Sequence, residues 1–388
     1  MKYDFDKIID RKNTNSLKYD FAVQRGKPAD ILPLWVADMD FAAPEEVISA
    51  LKQKAEHGIF GYSEPDEKYF SAICGWFKKR HGWNCEKDNF VITYGVVHAI
   101  CSLVRALTAE GDGVIVCQPV YYPFAEAVTD NGRKLVVSEL KNDNGYYSVD
   151  FADFEKKIEE EKVKLFILCS PHNPVGRVWT KEELKRLGDI CLKHGVFVIS
   201  DEIHCDFTYG ENKHTVFATA DKRFENICAV CTAPSKTFNL AGLHIANTYI
   251  ADNAVREKLK RELARQGFSQ PNIAGLIACQ SAYGYGGQWL DGLRAYLQGN
   301  LDFVRSFVEE HIPKVKLVEP QGTYLVWLDC RTAGRSDKDL SDAVIKAGLW
   351  LDDGCMFGVG GSGFQRINIA CPRATLKLAL EKFKTVFD

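Results

Sequence analysis

KLFILCSPHNPVGRVWTKEELKRLGDICLKHGVFVISDE, residues 164–202, reads in one pass as strand, loop, helix, turn and strand. Its two apolar runs, Lys164 to Cys169 and Val196 to Ser200, are short and rich in Phe, Ile and Val, which suits strands rather than helices. Between them, Thr180-Lys181-Glu182-Glu183 has the spacing of a capping box, Leu184, Leu187 and Cys191 recur at helical spacing, and Gly195 supplies the stop. A helix joining two such runs is a βαβ unit with parallel strands.

The same rhythm extends outward. Phe90 to Thr93, Val114 to Cys117 and Ile227 to Cys231 are further short apolar runs, so the region predicts an α/β fold built on a mostly parallel sheet. Ligands of open α/β sheets sit beyond the carboxyl ends of the strands. Those ends here bear Thr93-Tyr94-Gly95, Ser170-Pro171-His172-Asn173-Pro174, Asp201 and Lys236. Beyond residue 290 the pattern becomes helix, strands at Val315 to Val318 and Tyr324 to Leu328, helix, and a strand at Gln365 to Ala370. Leu376, Leu380, Phe383 and Phe387 then mark a final amphipathic helix. We therefore expect a large α/β domain over 46–289 and a smaller α+β domain made of 1–45 and 290–388. The charged segment Glu155 to Lys164 reads as a solvated helix face, and Gly284 to Gly287 and Gly358 to Gly363 as flexible loops lacking the setting of a dinucleotide site.

Composition narrows the chemistry. A chain of 388 residues, 46% hydrophobic, can bury a large core, and a net charge of −3 offers no basic footprint for nucleic acid. Thirteen cysteines, an odd number lying mostly in apolar runs, fit a reducing cytoplasm better than a disulfide framework. Cys228 and Cys231 lie three apart in an expected strand and so point to opposite faces. No His, Cys, Asp and Glu spacing suits a metal shell, and no apolar run approaches the roughly 18 residues of a membrane helix, so neither a metal nor a membrane is expected.

Ala233-Pro234-Ser235-Lys236-Thr237-Phe238-Asn239 follows the apolar run that begins at Ile227, and Lys236 stands 35 residues after Asp201. A lysine just past one strand end, with an acid just past another, is what a pyridoxal-phosphate enzyme needs: an amine to hold the cofactor and a carboxylate to keep its ring nitrogen protonated. Further stretches are Leu34 to Phe41, His57 to Tyr62, Pro119 to Phe124, Pro171 to Trp179, Ser200 to His204 and Pro234 to Leu243. Together they resemble fold-type I pyridoxal-phosphate enzymes of the aspartate aminotransferase superfamily, and within it the MalY/PatB-like group of carbon–sulfur β-lyases.

That resemblance implies a site residue by residue. Lys236 would bind the cofactor as a Schiff base and remove the Cα proton, Asp201 would face the pyridine nitrogen, and Asn173 the phenolic oxygen. Tyr121 would stack on the ring and assist catalysis, with Tyr122 as its rival for that place. The amides of Gly95, Val96 and Val97 and the hydroxyls of Thr232 and Ser235 would take the phosphate. Tyr62 would reach the phosphate or substrate of a neighbouring subunit, making a homodimer with shared sites. Arg366 would clamp the substrate α-carboxylate, with Asn173 and backbone near Val36 and Ala37 closing the other side. His204 stands where many aminotransferases carry tyrosine, and His244 where many carry a phosphate-binding arginine, which shifts the expectation toward α,β-elimination on L-cysteine S-conjugates such as cystathionine. Amino transfer uses the same residues and stays open, as does a binding role, since members of the group are reported to touch transcription factors.

Overall fold

The computed structural model describes residues 3–388. Seven strands form its main sheet: β1 (Phe90–Thr93), β2 (Gly113–Gln118), β3 (Lys134–Glu139), β4 (Leu165–Cys169), β5 (Phe197–Asp201), β6 (Cys228–Thr232) and β7 (Ala246–Tyr249). Their order is β1-β7-β6-β5-β4-β2-β3. The neighbours from β6 to β3 pair in parallel, and β7 runs antiparallel to both β1 and β6. Strands β2, β4 and β6 are buried along their whole length, which is why they read as unbroken apolar runs instead of alternating ones. Cys228 and Cys231 fall in two different apolar clusters, one on each side of the sheet.

Helix α1 (Val96–Leu107) follows β1, and helix α2 (Lys181–His194) joins β4 to β5. The capping box of α2 is complete: the Glu183 amide donates to Thr180 Oγ1 at 3.1 Å, and the Thr180 amide donates to Glu183 Oε2 at 2.8 Å. Leu184, Leu187 and Cys191 are buried, and Gly195 ends the helix at φ 66°, a left-handed conformation costly for other residues.

Helix α3 (Pro234–Thr237) is a single turn after β6. Helices α4 (Ile273–Tyr285) and α5 (Gly287–His311) meet at Gly286. The segment Gly284 to Gly287, expected as a flexible loop, is therefore helix end, tight junction and helix start. A Cβ on Gly286 would lie 2.5 Å from a Phe238 ring carbon and 2.6 Å from the Ala282 carbonyl oxygen, so close packing, not mobility, requires glycine there.

A second sheet holds β8 (Lys316–Val318), β9 (Leu325–Asp329), β10 (Asp352–Asp353) and β11 (Phe364–Asn368) in the order β8-β9-β11-β10, all antiparallel. Residues near the amino terminus join this region. Leu32–Pro33 pairs with Leu349–Trp350, and the Asn368 amide donates to the Leu34 carbonyl at 2.9 Å. One apolar cluster runs from Phe5 to Phe387 through both regions, and α5 begins three residues before position 290. The segment Gly358 to Gly363 is a built turn: the Gly361 amide donates to the Gly358 carbonyl, and the Val359 amide to Gln118 Oε1 at 2.9 Å.

Removing the α2 cap tests how the βαβ unit is held. Thr180→Ala should cost about 1 kcal/mol, read as a lower denaturation midpoint at unchanged denaturant sensitivity. A midpoint equal to that of the unaltered protein would show that the cap contributes nothing.

Candidate active site

Register brings the site together. Cys169 of β4 lies opposite Asp201 of β5, and Asp201 lies opposite Cys231 of β6, so the segments leaving these three strands emerge side by side. Asp201 is the last residue of its strand, and Lys236 sits on α3, whose start is fixed by Pro234. Gly95 precedes the first turn of α1 in extended backbone. These ends surround a cavity of about 390 Å³.

Its walls include Lys236, Asp201, Asn173, Tyr121 and His204. Gly95, Val96 and Val97 at the start of α1, Ser235 and Ala37 line it as well. Three expected residues lie off that wall. Thr232 is buried in the sheet and its hydroxyl donates to the Asn247 carbonyl at 3.1 Å, a bond to β7 that takes it off the cavity wall. Tyr62 is 97% exposed and outside the cavity of the single chain. Arg366 sits one layer back, where its Nη1 donates to Asn173 Oδ1 at 3.0 Å. Tyr121, not Tyr122, faces the cavity; the Tyr121 amide donates to the Asn173 carbonyl at 3.0 Å, while Tyr122 packs edge-on against Phe357.

Burial sets the charges. The Asp201 carboxyl is pushed up to about 7 because it is desolvated; the Ile203 amide, at 3.1 Å, and the Lys236 charge pull against that. No ion pair is made by Asp201 among the described residues. Desolvation likewise lowers the Lys236 amine to about 8, so a far larger share of it is neutral near neutral pH than for an ordinary lysine. Lys236 Nζ donates to the Ala37 carbonyl at 2.7 Å, and the Tyr324 hydroxyl donates to the same oxygen at 3.0 Å. The His204 imidazole is held neutral by burial beside Lys236 and Arg366, and its Nδ1 is buried with no hydrogen-bond partner.

Several cavity residues were invisible in the linear reading. Cys169, Ile203, Ala241 and Ile245 supply apolar wall, and His98 lines the same space two residues into α1. Tyr324 arrives from the second sheet region, 287 residues from the carbonyl it contacts. The fold also gathers two groups of metal-ligand types that no short spacing announced: His81, Cys205 and Asp206, and Glu155, Glu159 and His194. In the first, Asp206 already accepts from His81 Nε2 at 2.9 Å, Trp76 Nε1 at 3.1 Å and Thr237 Oγ1 at 2.7 Å. In the second, Glu155 is bonded to His194 and Lys193 on the surface.

A lysine and a buried aspartate facing one cavity at the carboxyl edge of a mostly parallel sheet define the class, and comparison agrees. Residues 29–383 match the family described as Aminotransferase class I and II, and the chain belongs to that family. Within it, the chain is 44% identical over 385 residues, 99% of its length and all of the relative's, to cystathionine beta-lyase PatB of Bacillus subtilis. Cystalysin of Treponema denticola, whose crystal structure contains pyridoxal 5′-phosphate, superposes with a TM-score of 0.96 at 39% identity, covering 100% of this chain and 99% of that one. The pyridoxal-phosphate-bound C–S lyase of Staphylococcus hominis superposes with a TM-score of 0.93 at 35% identity, covering 99% and 98%.

The residues present fit that cofactor. Asp201 is a buried carboxylate lacking a cationic partner, Lys236 offers an amine lowered toward neutrality, and the first amides of α1 border the same cavity. Covalent capture of pyridoxal phosphate by the cofactor-free protein should therefore slow by about tenfold per pH unit below about 8 and level off above it, because the neutral amine is the nucleophile. Stopped-flow absorbance measures this, and borohydride trapping with peptide mapping should place the adduct on Lys236. A capture rate that is flat with pH, or an adduct on another lysine, contradicts the assignment.

Proposed function

We propose that this chain is a pyridoxal-phosphate-dependent carbon–sulfur β-lyase that splits L-cysteine S-conjugates such as cystathionine into pyruvate, ammonia and a thiol. The observation that supports this most is the pairing of Lys236 and Asp201 in one cavity, in a chain matching a named cystathionine beta-lyase along its whole length. When bound, the cofactor supplies an electron sink for the pair left as the Cα proton departs.

The side chains divide the work. Lys236 holds the cofactor and, once freed by the incoming amino group, takes the proton from Cα; an amine near 8 suits both tasks. Asp201 would hold the cofactor's ring nitrogen, whose positive charge would offset the desolvation of the carboxylate. Tyr121 would offer the ring an aromatic face and Asn173 a polar group, both from the cavity wall. The amides of Gly95, Val96 and Val97, with Ser235, receive the phosphate. Arg366 clamps the α-carboxylate, and Ala37 closes the opposite wall. A thiolate then departs readily, since thiols of this kind have a pKa of about 8.5. His204, neutral and close to Lys236, carries no competing charge into the site.

The active form in this reading is a cytoplasmic homodimer. Ile59, Phe60 and Tyr62 are 66%, 65% and 97% exposed, an apolar run that a second copy would cover while delivering Tyr62 to the neighbouring site. Thirteen free cysteines support a reducing compartment, and among the described residues no helix is long and apolar enough to cross a membrane. Amino transfer is the second reading, because the matched family bears that name.

Three measurements test the reaction, the carboxylate clamp and the shared site in turn. With cofactor bound and no keto acid added, L-cystathionine and L-cysteine should give continuous, matched release of pyruvate and ammonia together with a sulfur product. Turnover that requires a keto-acid acceptor would make the protein an aminotransferase. Arg366→Ala should raise KM for amino acids by roughly 10- to 100-fold while leaving decarboxylated analogues little changed, the size expected for a lost charged hydrogen bond. Equal effects on both would remove Arg366 from the carboxylate site. Mixed dimers of Tyr62→Ala and Lys236→Ala subunits should regain part of the activity, and inactive heterodimers would refute sharing.

A further inference from the structure

Behind the cavity, Arg366 is already engaged by a carboxylate. Asp352 of β10 lies directly opposite Arg366 of β11 in the antiparallel register, which puts both side chains on one face of the sheet. The two form an ion pair between Arg366 Nη2 and Asp352 Oδ2, and both residues are only 3% exposed. Arg366 Nη2 also donates to the Trp35 carbonyl at 2.8 Å, and Nη1 donates to Asn173 Oδ1 at 3.0 Å. Its Nε is buried with no partner, and its guanidinium lies over the Phe357 ring, 4.9 Å from the centroid.

The donors of Arg366 limit how a carboxylate can bind it. A guanidinium has five N–H groups, and a carboxylate grips it bidentately through either the Nη1/Nη2 edge or the Nε/Nη2 edge. Nη2 belongs to both edges, and its two hydrogens are spent on Asp352 and Trp35. The hydrogens left over, on Nε and one on Nη1, do not share an edge. A substrate carboxylate can therefore dock bidentately only by drawing Nη2 away from one of its present partners. The backbone carbonyl is held by the chain, whereas the Asp352 side chain can yield.

We propose that Asp352 is an internal competitor for the substrate α-carboxylate, a positioning residue that orients Arg366 between turnovers and sets how weakly amino acids bind. This rests on the reading of Arg366 as the carboxylate clamp. Without an anion beside it, Arg366 would be a buried, uncompensated charge whenever no substrate carboxylate is bound. With Asp352 there, the arriving carboxylate meets a second negative charge on the same guanidinium, which weakens binding. The residue thus trades affinity for a site that is ordered before substrate arrives.

The test uses Asp352→Asn in the cofactor-loaded enzyme, since Asn keeps an oxygen acceptor for Nη2 and removes the charge. KM for L-cystathionine should fall by roughly fivefold or more. The spectroscopic Kd for L-alanine, which has an α-carboxylate but no β leaving group, should fall alongside it. A decarboxylated amine analogue should bind as before. Asp352→Glu, which restores the charge, should not tighten binding. Unchanged or weaker L-alanine binding in a folded, cofactor-loaded Asp352→Asn protein would overturn the proposal. Should that variant fail to fold, Asp352→Ser carries the same expectation. Failure is also separable from the parent reading. If Arg366→Ala affects amino acids and decarboxylated analogues equally, the clamp itself is wrong; if that selectivity holds while Asp352→Asn has no effect, only the competitor role fails.

Discussion

The parallel ladder of β4, β5 and β6 is the constraint on which everything else rests. Its register aligns Cys169, Asp201 and Cys231 in one row, so whatever follows each strand emerges at one edge. Because these strands are buried on both faces, slipping the register would push apolar side chains out of two cores at once. The edge is therefore rigid, and a one-turn helix started by Pro234 can present Lys236 beside Asp201 without help from a long loop.

Around that edge the amino-terminal segment is tied down by polar contacts from far along the chain. Asn368 Nδ2 donates to the Val36 and Asp38 carbonyls at 2.8 and 2.6 Å, and Asn239 Nδ2 donates to those of Met39 and Phe41 at 2.9 and 2.8 Å. Beneath it, Lys18 is wholly buried against Asp40 at 2.9 Å and Asp38 at 3.5 Å, and Arg11 reaches the same two carboxylates. Such a cluster holds because every charge is paired; removing one partner strands another in a dry setting, typically at about 3–5 kcal/mol. The result is a fixed Ala37 carbonyl, shared by Lys236 and Tyr324, on the wall of the cavity.

Electrostatics in the site follows from depth. Desolvation is the largest influence on Asp201, Lys236 and His204 alike, and it drives each toward its neutral form. A cofactor with a basic ring nitrogen and an aldehyde would suit both groups: the nitrogen could take the proton of the Asp201 carboxyl and so give the carboxylate a cationic partner, and the neutral Lys236 amine could add to the aldehyde. Burial also pushes the Asp352 carboxyl up, but there the facing Arg366 charge on the adjacent strand pulls against it.

How much of this could be read in the sequence differs from residue to residue. The strand bearing Phe90 to Thr93, the α2 cap and the lysine and aspartate at strand ends were legible because buried strands make continuous apolar runs and caps obey local spacing. Strand β7, Ala-Asn-Thr-Tyr, was not, because its polar side chains are buried only by virtue of distant partners such as the Tyr69 hydroxyl, which donates to Asn247 Oδ1 at 2.6 Å. The same strand takes the Thr232 hydroxyl off the cavity wall. Gly286 looked flexible because its reason, the Phe238 ring against it, lies 48 residues away in the chain. By itself the sequence determined most of the buried strands, the capped helix and the candidates for the reacting groups, since these depend on contacts within a few residues. Only the tertiary structure decided that Tyr121 rather than Tyr122 faces the cavity, that Ala37 meets Lys236, and that Asp352 answers Arg366, because each depends on which distant strands become neighbours.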